Sequence, residues 1–181
     1  MKRIFTFILG ATVVASASAQ DCSELFISEY VEGWSNNKAL EIFNPTDNTV
    51  DLSGYFVARY SNGSNTATVA NSVQLSGMVA SGDVYVATLD KRDENGTGQE
   101  APIWDDLQAV TDGFYSPDYG TSNAFYWNGN DAIILYKGTL TANATDNVAS
   151  IPGAEVVDVF LHQFLPKLIA FFAWGFGVFG I

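Results

Sequence analysis

The sequence predicts an all-β protein, an antiparallel β-sandwich, and three observations carry that prediction. Short runs rich in Val, Ile, Phe and Tyr recur along the chain, and clusters of Gly, Asn, Ser and Asp break them at short intervals. Apolar residues at helical spacing are nearly absent. Of 181 residues, the stretch from Gln20 to Phe160 has the size of one ordinary domain, which excludes two large ones.

The strands follow in order. Leu25 to Tyr30 places Leu25 and Ile27 on the inward face, because successive strand side chains point to opposite sides. Leu40 to Phe43 repeats the pattern with Leu40 and Ile42 inward. It ends at Asn44-Pro45-Thr46-Asp47-Asn48, where proline has no ladder donor and asparagine offers Asx hydrogen bonds. Gly54 is expected to permit the sharp turn into Tyr55 to Tyr60. Val73 to Leu75 comes next; the turn Ser81-Gly82-Asp83 then leads into Asp83 to Thr88, with Val84 and Val86 expected inward. Between Leu89 and Phe125 the pattern loosens into a long insertion, a kind of loop usually functional or disordered. Within it Pro102 is expected to open a short helix over Ala101 to Val110 that contains Trp104 and Leu107. Asn128-Gly129-Asn130 supplies residues tolerant of positive φ before Asp131 to Tyr136, where Ile133 and Leu135 face inward. Glu155 to Phe160 is the seventh strand.

Composition excludes several function classes. From Gln20 to Phe160 there are 20 acidic against five basic side chains (Lys38, Arg59, Lys91, Arg92 and Lys137), a net charge of −15. Such a surface repels phosphate backbones and anionic membranes, so no nucleic-acid partner is expected. The sole histidine, His162, and the sole cysteine, Cys22, both flank the domain's strands. The domain therefore has no Ser-His-Asp or Cys-His arrangement, no His-bearing zinc site and no imidazole working near neutral pH. One cysteine also forbids a disulfide within the chain. Carboxylate chemistry, hard-cation binding and non-catalytic recognition stay open.

Both ends differ from the middle. Residues 1–19 combine Lys2-Arg3, an apolar run from Ile4 to Val14 and Ala17-Ser18-Ala19, the layout of a secretory signal peptide cleaved before Gln20. Ile4 to Val14 is about half the roughly 20 residues a bilayer span needs. Asp21 stands where a lipoprotein signal requires a small residue, so Cys22 reads as a plain thiol. The expected destination is extracellular or periplasmic. From Leu161 to Ile181 there is no Asp, Glu, Ser, Thr or Asn. Three readings of residues 161–181 stand open: a frameshifted or truncated reading of the gene, a membrane-associated tail, or a segment packed on the sandwich. As a helix, Leu168 to Ile181 would span only about 21 Å, short of a hydrocarbon core about 30 Å thick. Membrane contact is expected only if this tail is genuine.

The ordered string Leu25-Phe26-Ile27-Ser28-Glu29-Tyr30, Lys38-Ala39-Leu40-Glu41-Ile42-Phe43-Asn44-Pro45-Thr46 and Val50-Asp51-Leu52-Ser53-Gly54-Tyr55 resembles the opening of the lamin tail domain of secreted bacterial proteins. Leu75-Ser76-Gly77, Ser81-Gly82-Asp83-Val84-Tyr85-Val86 and Val156-Val157-Asp158-Val159-Phe160 resemble its later strands, so the likeness runs from about Glu24 to Phe160. The resemblance implies an immunoglobulin-like β-sandwich, exported, and often joined to nucleases, phosphatases or surface modules, with no established catalytic residues. Glu29, Glu41, Asn44, Pro45, Leu52, Gly54 and Asp158 carry the motif. Physical roles in the fold explain them without any ligand. Glu41, between inward Leu40 and Ile42, is expected to point outward or reach across the sheet toward Lys38 or a turn amide.

Site candidates are few. Acids cluster at Glu29, Glu32 and Glu41, at Asp90, Asp93 and Glu94, and at Asp105-Asp106. Asp90, Asp93, Glu94 and Asn95 are the calcium candidates, against the plainer reading of a solvated acidic surface; the loop lacks the full spacing and terminal bidentate glutamate of a calcium loop. No cofactor is otherwise expected. A glycosidase pair needs two carboxylates facing one cleft, which nothing in the sequence specifies. Trp34, flanked by Gly33 and Ser35-Asn36-Asn37, is the ligand-contact candidate, whereas Trp104, Tyr115, Tyr119, Tyr126 and Trp127 are expected to pack. Asn62, Asn95 and Asn143 head acceptor-type triplets that mark exposed loops. The leading functional reading is an exported, non-enzymatic recognition, adhesion or spacer module with a protein or glycan partner. The alternatives are an accessory domain of a secreted hydrolase and a calcium- or carbohydrate-binding module.

Overall fold

A computed structural model describes residues 23–161. The expected leader, Cys22 and His162 to Ile181 lie outside the described residues. Alternation and turn chemistry place the strands well: all seven expected strands are present, each end within two residues of expectation. They are β1 (Phe26–Glu32), β2 (Lys38–Phe43), β4 (Tyr55–Tyr60), β5 (Ser72–Gln74), β7 (Val84–Leu89), β9 (Ala132–Lys137) and β10 (Glu155–Leu161). Three short strands join them: β3 (Val50–Asp51), β6 (Met78–Val79) and β8 (Gly113–Tyr115).

One sheet has the order β1-β2-β7-β8 and the other β10-β9-β4-β5, with β3 and β6 forming a separate ribbon. Leu40 and Ile42, Tyr55 and Val57, Tyr85 and Ala87, and Ile133 and Leu135 fill the space between the sheets together with Phe125 and Trp127. The architecture is an immunoglobulin-like β-sandwich. Strands β4 and β9 are buried on both faces, because Ala67, Val148 and Ile151 cover the outward Phe56, Ala58, Ile134 and Tyr136. Double burial explains why both strands read as continuous apolar runs.

The edge between the sheets is closed by a side chain. Strands β1 and β10 each carry an irregularity, between Ile27 and Glu29 and between Val156 and Asp158. Asp158 Oδ2 accepts a hydrogen bond from the Ile27 amide at 2.8 Å. An edge-strand donor is thereby spent inside the molecule, which protects the edge from pairing with another chain.

Four expectations need correction. Val84 and Val86 do not face inward: the pairing Ile42↔Tyr85 puts Tyr85, Ala87 and Leu89 on the core face, and Val84 is 37 % exposed. The sandwich is not wholly antiparallel, since β7 and β8 run parallel. Gly113 permits that approach, because a Cβ there would overlap the Tyr85 hydroxyl. Gly54 does not supply a special backbone conformation: its φ is not positive and a Cβ would meet nothing. Gly82 and Gly129, by contrast, sit at φ 72° and 53°, as the turns require. Finally, the helix is shorter than expected, α1 (Asp105–Ala109), with Trp104 at its N-cap and Pro102 outside it. Ile103 N donates to Lys91 O at 2.9 Å and Trp104 N to Asn37 Oδ1 at 2.8 Å, which holds the preceding residues extended.

Candidate functional site

The β1–β2 loop and the start of α1 form one end of the sandwich. Residues 33–37 make a tight loop in which Gly33 N donates to Asn37 O at 2.8 Å and Lys38 N to Asn36 O at 2.8 Å. Gly33 is required here, since a Cβ would lie 2.9 Å from both Asn37 Cβ and its carbonyl oxygen. Ser35 takes a left-handed φ of 57°, and Trp34 beside it projects outward, 79 % exposed. Lys38 Nζ donates to Gly33 O at 3.0 Å; burial pushes its pKa below the ordinary lysine value, against the opposing pull of Glu32.

The two asparagines after Trp34 tie this loop to the insertion. Asn36 Nδ2 donates to Gln99 O at 3.0 Å and to Ala101 O at 2.6 Å. Asn37, 2 % exposed, donates from Nδ2 to Trp34 O at 2.7 Å, and its Oδ1 accepts the Trp104 amide. One buried amide therefore joins the backbones of two tryptophans. Trp104 is 59 % exposed, contrary to its expected place in the packing, because the N-cap position carries it off the sheet. Trp127 and Tyr115 are buried as expected, while Tyr119 is 55 % exposed and stacks on Tyr126 at 4.0 Å.

The acidic candidates are dispersed. Asp90 takes both Arg92 contacts, Nε to Oδ1 at 2.7 Å and Nη2 to Oδ2 at 2.9 Å. Asp93 Oδ1 accepts the Asn95 amide at 3.0 Å, while Glu94 and Asn95 are exposed in the same turn. The adjacent cleft is also lined by Lys91 and Arg92, whose charge opposes a cation. Among the described residues, no three His, Cys, Asp or Glu side chains come together to hold a metal ion. Lys91 Nζ meets Glu100 Oε2 at 2.5 Å and Pro117 O at 2.6 Å; burial would lower its pKa, and Glu100 and Tyr126 together outweigh that and leave it raised.

The motif residues do fold-building work. Asn44 is fully buried and saturated. Its Nδ2 donates to the carbonyls of Asn48, Val79 and Ala80, its Oδ1 accepts from the Thr46 amide and hydroxyl, and its backbone pairs with Asp83 and Gly82. Glu41 reaches across to β1, accepting Ser28 Oγ at 2.7 Å, and not toward Lys38. Glu29 lies opposite Glu41 on the outward face, Pro45 follows Asn44 in the turn, and Leu52 is buried in the core. Sequence reasoning missed Asn36 and Asn37 as anchors, and also Arg59. The Arg59 guanidinium donates to Tyr126 O and lies 3.6 Å from Asp131 Oδ2, and Asp131 in turn receives the Asn62 and Asn128 amides. Nothing in the sequence separates the first pair from loop asparagines that face water.

Two sheets over a shared core define an immunoglobulin-like β-sandwich module. Among the described residues no helix is long and apolar enough to cross a membrane. The family model of the lamin tail domain matches residues 18–151, and the chain belongs to that family. No curated protein matches the chain.

Proposed function

We propose that the chain is an exported, non-enzymatic recognition module of the secreted bacterial type that makes its contact through the loop end bearing Trp34 and Trp104, and that its ligand is an extended carbohydrate. The observation that carries this reading is the Asn37 side chain, which couples the Trp34 carbonyl to the Trp104 amide and so presents two exposed indoles from one braced frame. Rigid aromatic faces bind with little loss of conformational entropy. The acidic surroundings of Glu100, Asp105 and Asp106 favour a neutral or cationic glycan over an anionic one. Export is supported by the charged start, short apolar centre and small-residue end of residues 1–19. Co-sedimentation of the purified chain with insoluble cellulose, chitin and peptidoglycan tests the reading. The native chain is expected in at least one pellet and Trp34→Ala/Trp104→Ala in the supernatant. A native chain that stays in solution with all three makes the domain a spacer instead.

A further inference from the structure

Just after α1, Thr111 Oγ1 meets Thr88 Oγ1 on the outer face of the first sheet at 2.8 Å, and beside that contact the face opens into a groove of about 500 Å³. The strand register fixes what lines it. Glu29, Glu41 and Val86 stand side by side across β1, β2 and β7, with Val31 and Ala39 paired in the next outward row. Leu107 and Val110 form the opposite wall, and Val110 is 60 % exposed. Val31, Ala39, Val86, Leu107 and Val110 supply the groove's apolar surface. Four carboxylates flank it: Glu29 and Glu41 on β1 and β2 to one side of Val86, and on the other Asp83 before β7 and Asp112 between α1 and β8, where Asp112 Oδ2 accepts the Val86 amide at 2.8 Å.

No basic residue lines this groove. The five described cations are held elsewhere: Lys38 by Gly33, Arg59 by Asp131, Lys91 by Glu100, Arg92 by Asp90 and Lys137 by Glu24. The chain thus offers an apolar stripe between two acidic rims and no cation of its own among those residues to neutralise them. Charge complementarity selects the occupant. We infer that the groove docks a basic amphipathic helix of a partner protein, its apolar stripe on Val86 and Val110 and its Lys or Arg side chains flanking that stripe toward the two rims. This contact goes beyond the carbohydrate reading and uses a different face from Trp34 and Trp104.

The test is fluorescence anisotropy of the purified chain with a labelled helical peptide whose Leu and Ala stripe is flanked by Lys, and with its counterpart carrying Glu in place of Lys. The Lys peptide is expected to bind and to lose at least tenfold in affinity between 50 and 500 mM salt. Glu29→Gln/Glu41→Gln is expected to weaken it at least tenfold, and so is Val110→Lys, an exposed site where misfolding is not at issue. Asp105→Asn/Asp106→Asn removes the same charge outside the groove and is expected to change affinity less than twofold. Equal losses in the two acid-to-amide variants would show diffuse attraction and overturn the proposal. It is equally overturned by absent binding of the Lys peptide, by equal binding of the Glu peptide, or by a self-associating chain whose dimer Val110→Lys dissolves. Glycan binding by the Glu29→Gln/Glu41→Gln variant reports on the loop end separately.

Discussion

Asn44 is the clearest case of a residue whose role is legible in the sequence. Asparagine before proline at a strand end promises side-chain hydrogen bonds to the backbone and its neighbours, and the fold gives it five. Asn44→Ala removes the side-chain donor to the buried Val79 carbonyl and the acceptor of the Thr46 amide, while Asn48 O and Ala80 O keep Thr46 Oγ1 and Asp83 N. The loss is expected to be about 2–4 kcal/mol, on the basis of about 1–3 kcal/mol for each buried group left unsatisfied. Urea unfolding monitored by tryptophan fluorescence measures it, and a loss below about 1 kcal/mol would show that water replaces the network. Asn37 was not legible, because an asparagine in a Gly-Trp-Ser-Asn-Asn loop looks the same whether it faces water or a second backbone. Val84 and Val86 misled for a related reason: apolar residues occupy both parities of β7, and only the partner strand decides which faces the core. Gly54 shows the limit of reading glycine as a conformational requirement, since nothing in its φ or surroundings demands one.

Apart from β5, three residues long and still expected from Val73 to Leu75, elements were legible in proportion to their length. Strands of six or seven residues announce themselves through alternation or continuous burial, whereas β3, β6 and β8, of two or three residues, carry no period that a window can register. Strand β8 also pairs in parallel with β7 across the insertion, a long-range contact that local patterning does not encode. Its existence depends on Gly113, which lets the chain pass beside the Tyr85 and Tyr115 hydroxyls, 2.8 Å apart. Gly113→Ala is expected to push that pair apart, detach β8 and cost about 1–3 kcal/mol, the scale of core overpacking. Hydrogen exchange read by mass spectrometry would show faster exchange over residues 111–116, with β2 and β4 unchanged. Unaltered exchange in that segment would contradict the placement of the parallel strand.

At the scale of the whole molecule, acidity and tyrosine burial dominate. The charge excess was legible from composition; that each described cation is held by a partner within the fold was not, because the pairs join residues as far apart as Glu24 and Lys137. Burial raises the pKa of Tyr30, Tyr60, Tyr85 and Tyr136, with hydrogen bonding to Glu32, Tyr115 and Tyr60 adding to it at Tyr30, Tyr85 and Tyr136 respectively, while the Tyr136 hydrogen bond opposes it at Tyr60. A folded-state pKa above the unfolded value gives stability that is intact below about pH 10 and lost as pH climbs beyond it, because the unfolded chain then releases protons the folded one retains. Alkaline titration is expected to show the 295 nm tyrosinate absorbance of these residues rising together with loss of the β-sheet dichroism. Their ionisation near pH 10 with dichroism intact would contradict the burial.

The proposed recognition through the braced loop end is tested most directly by a glycan array. The native chain is predicted to give a saturable signal that Trp34→Ala/Trp104→Ala reduces by about a hundredfold, the scale of two aromatic anchors, with unchanged urea unfolding. Asn37→Ala, which keeps both indoles and removes their common brace, is predicted to fall between the two. An array on which the native chain binds nothing, or on which the double variant matches it, would contradict the account.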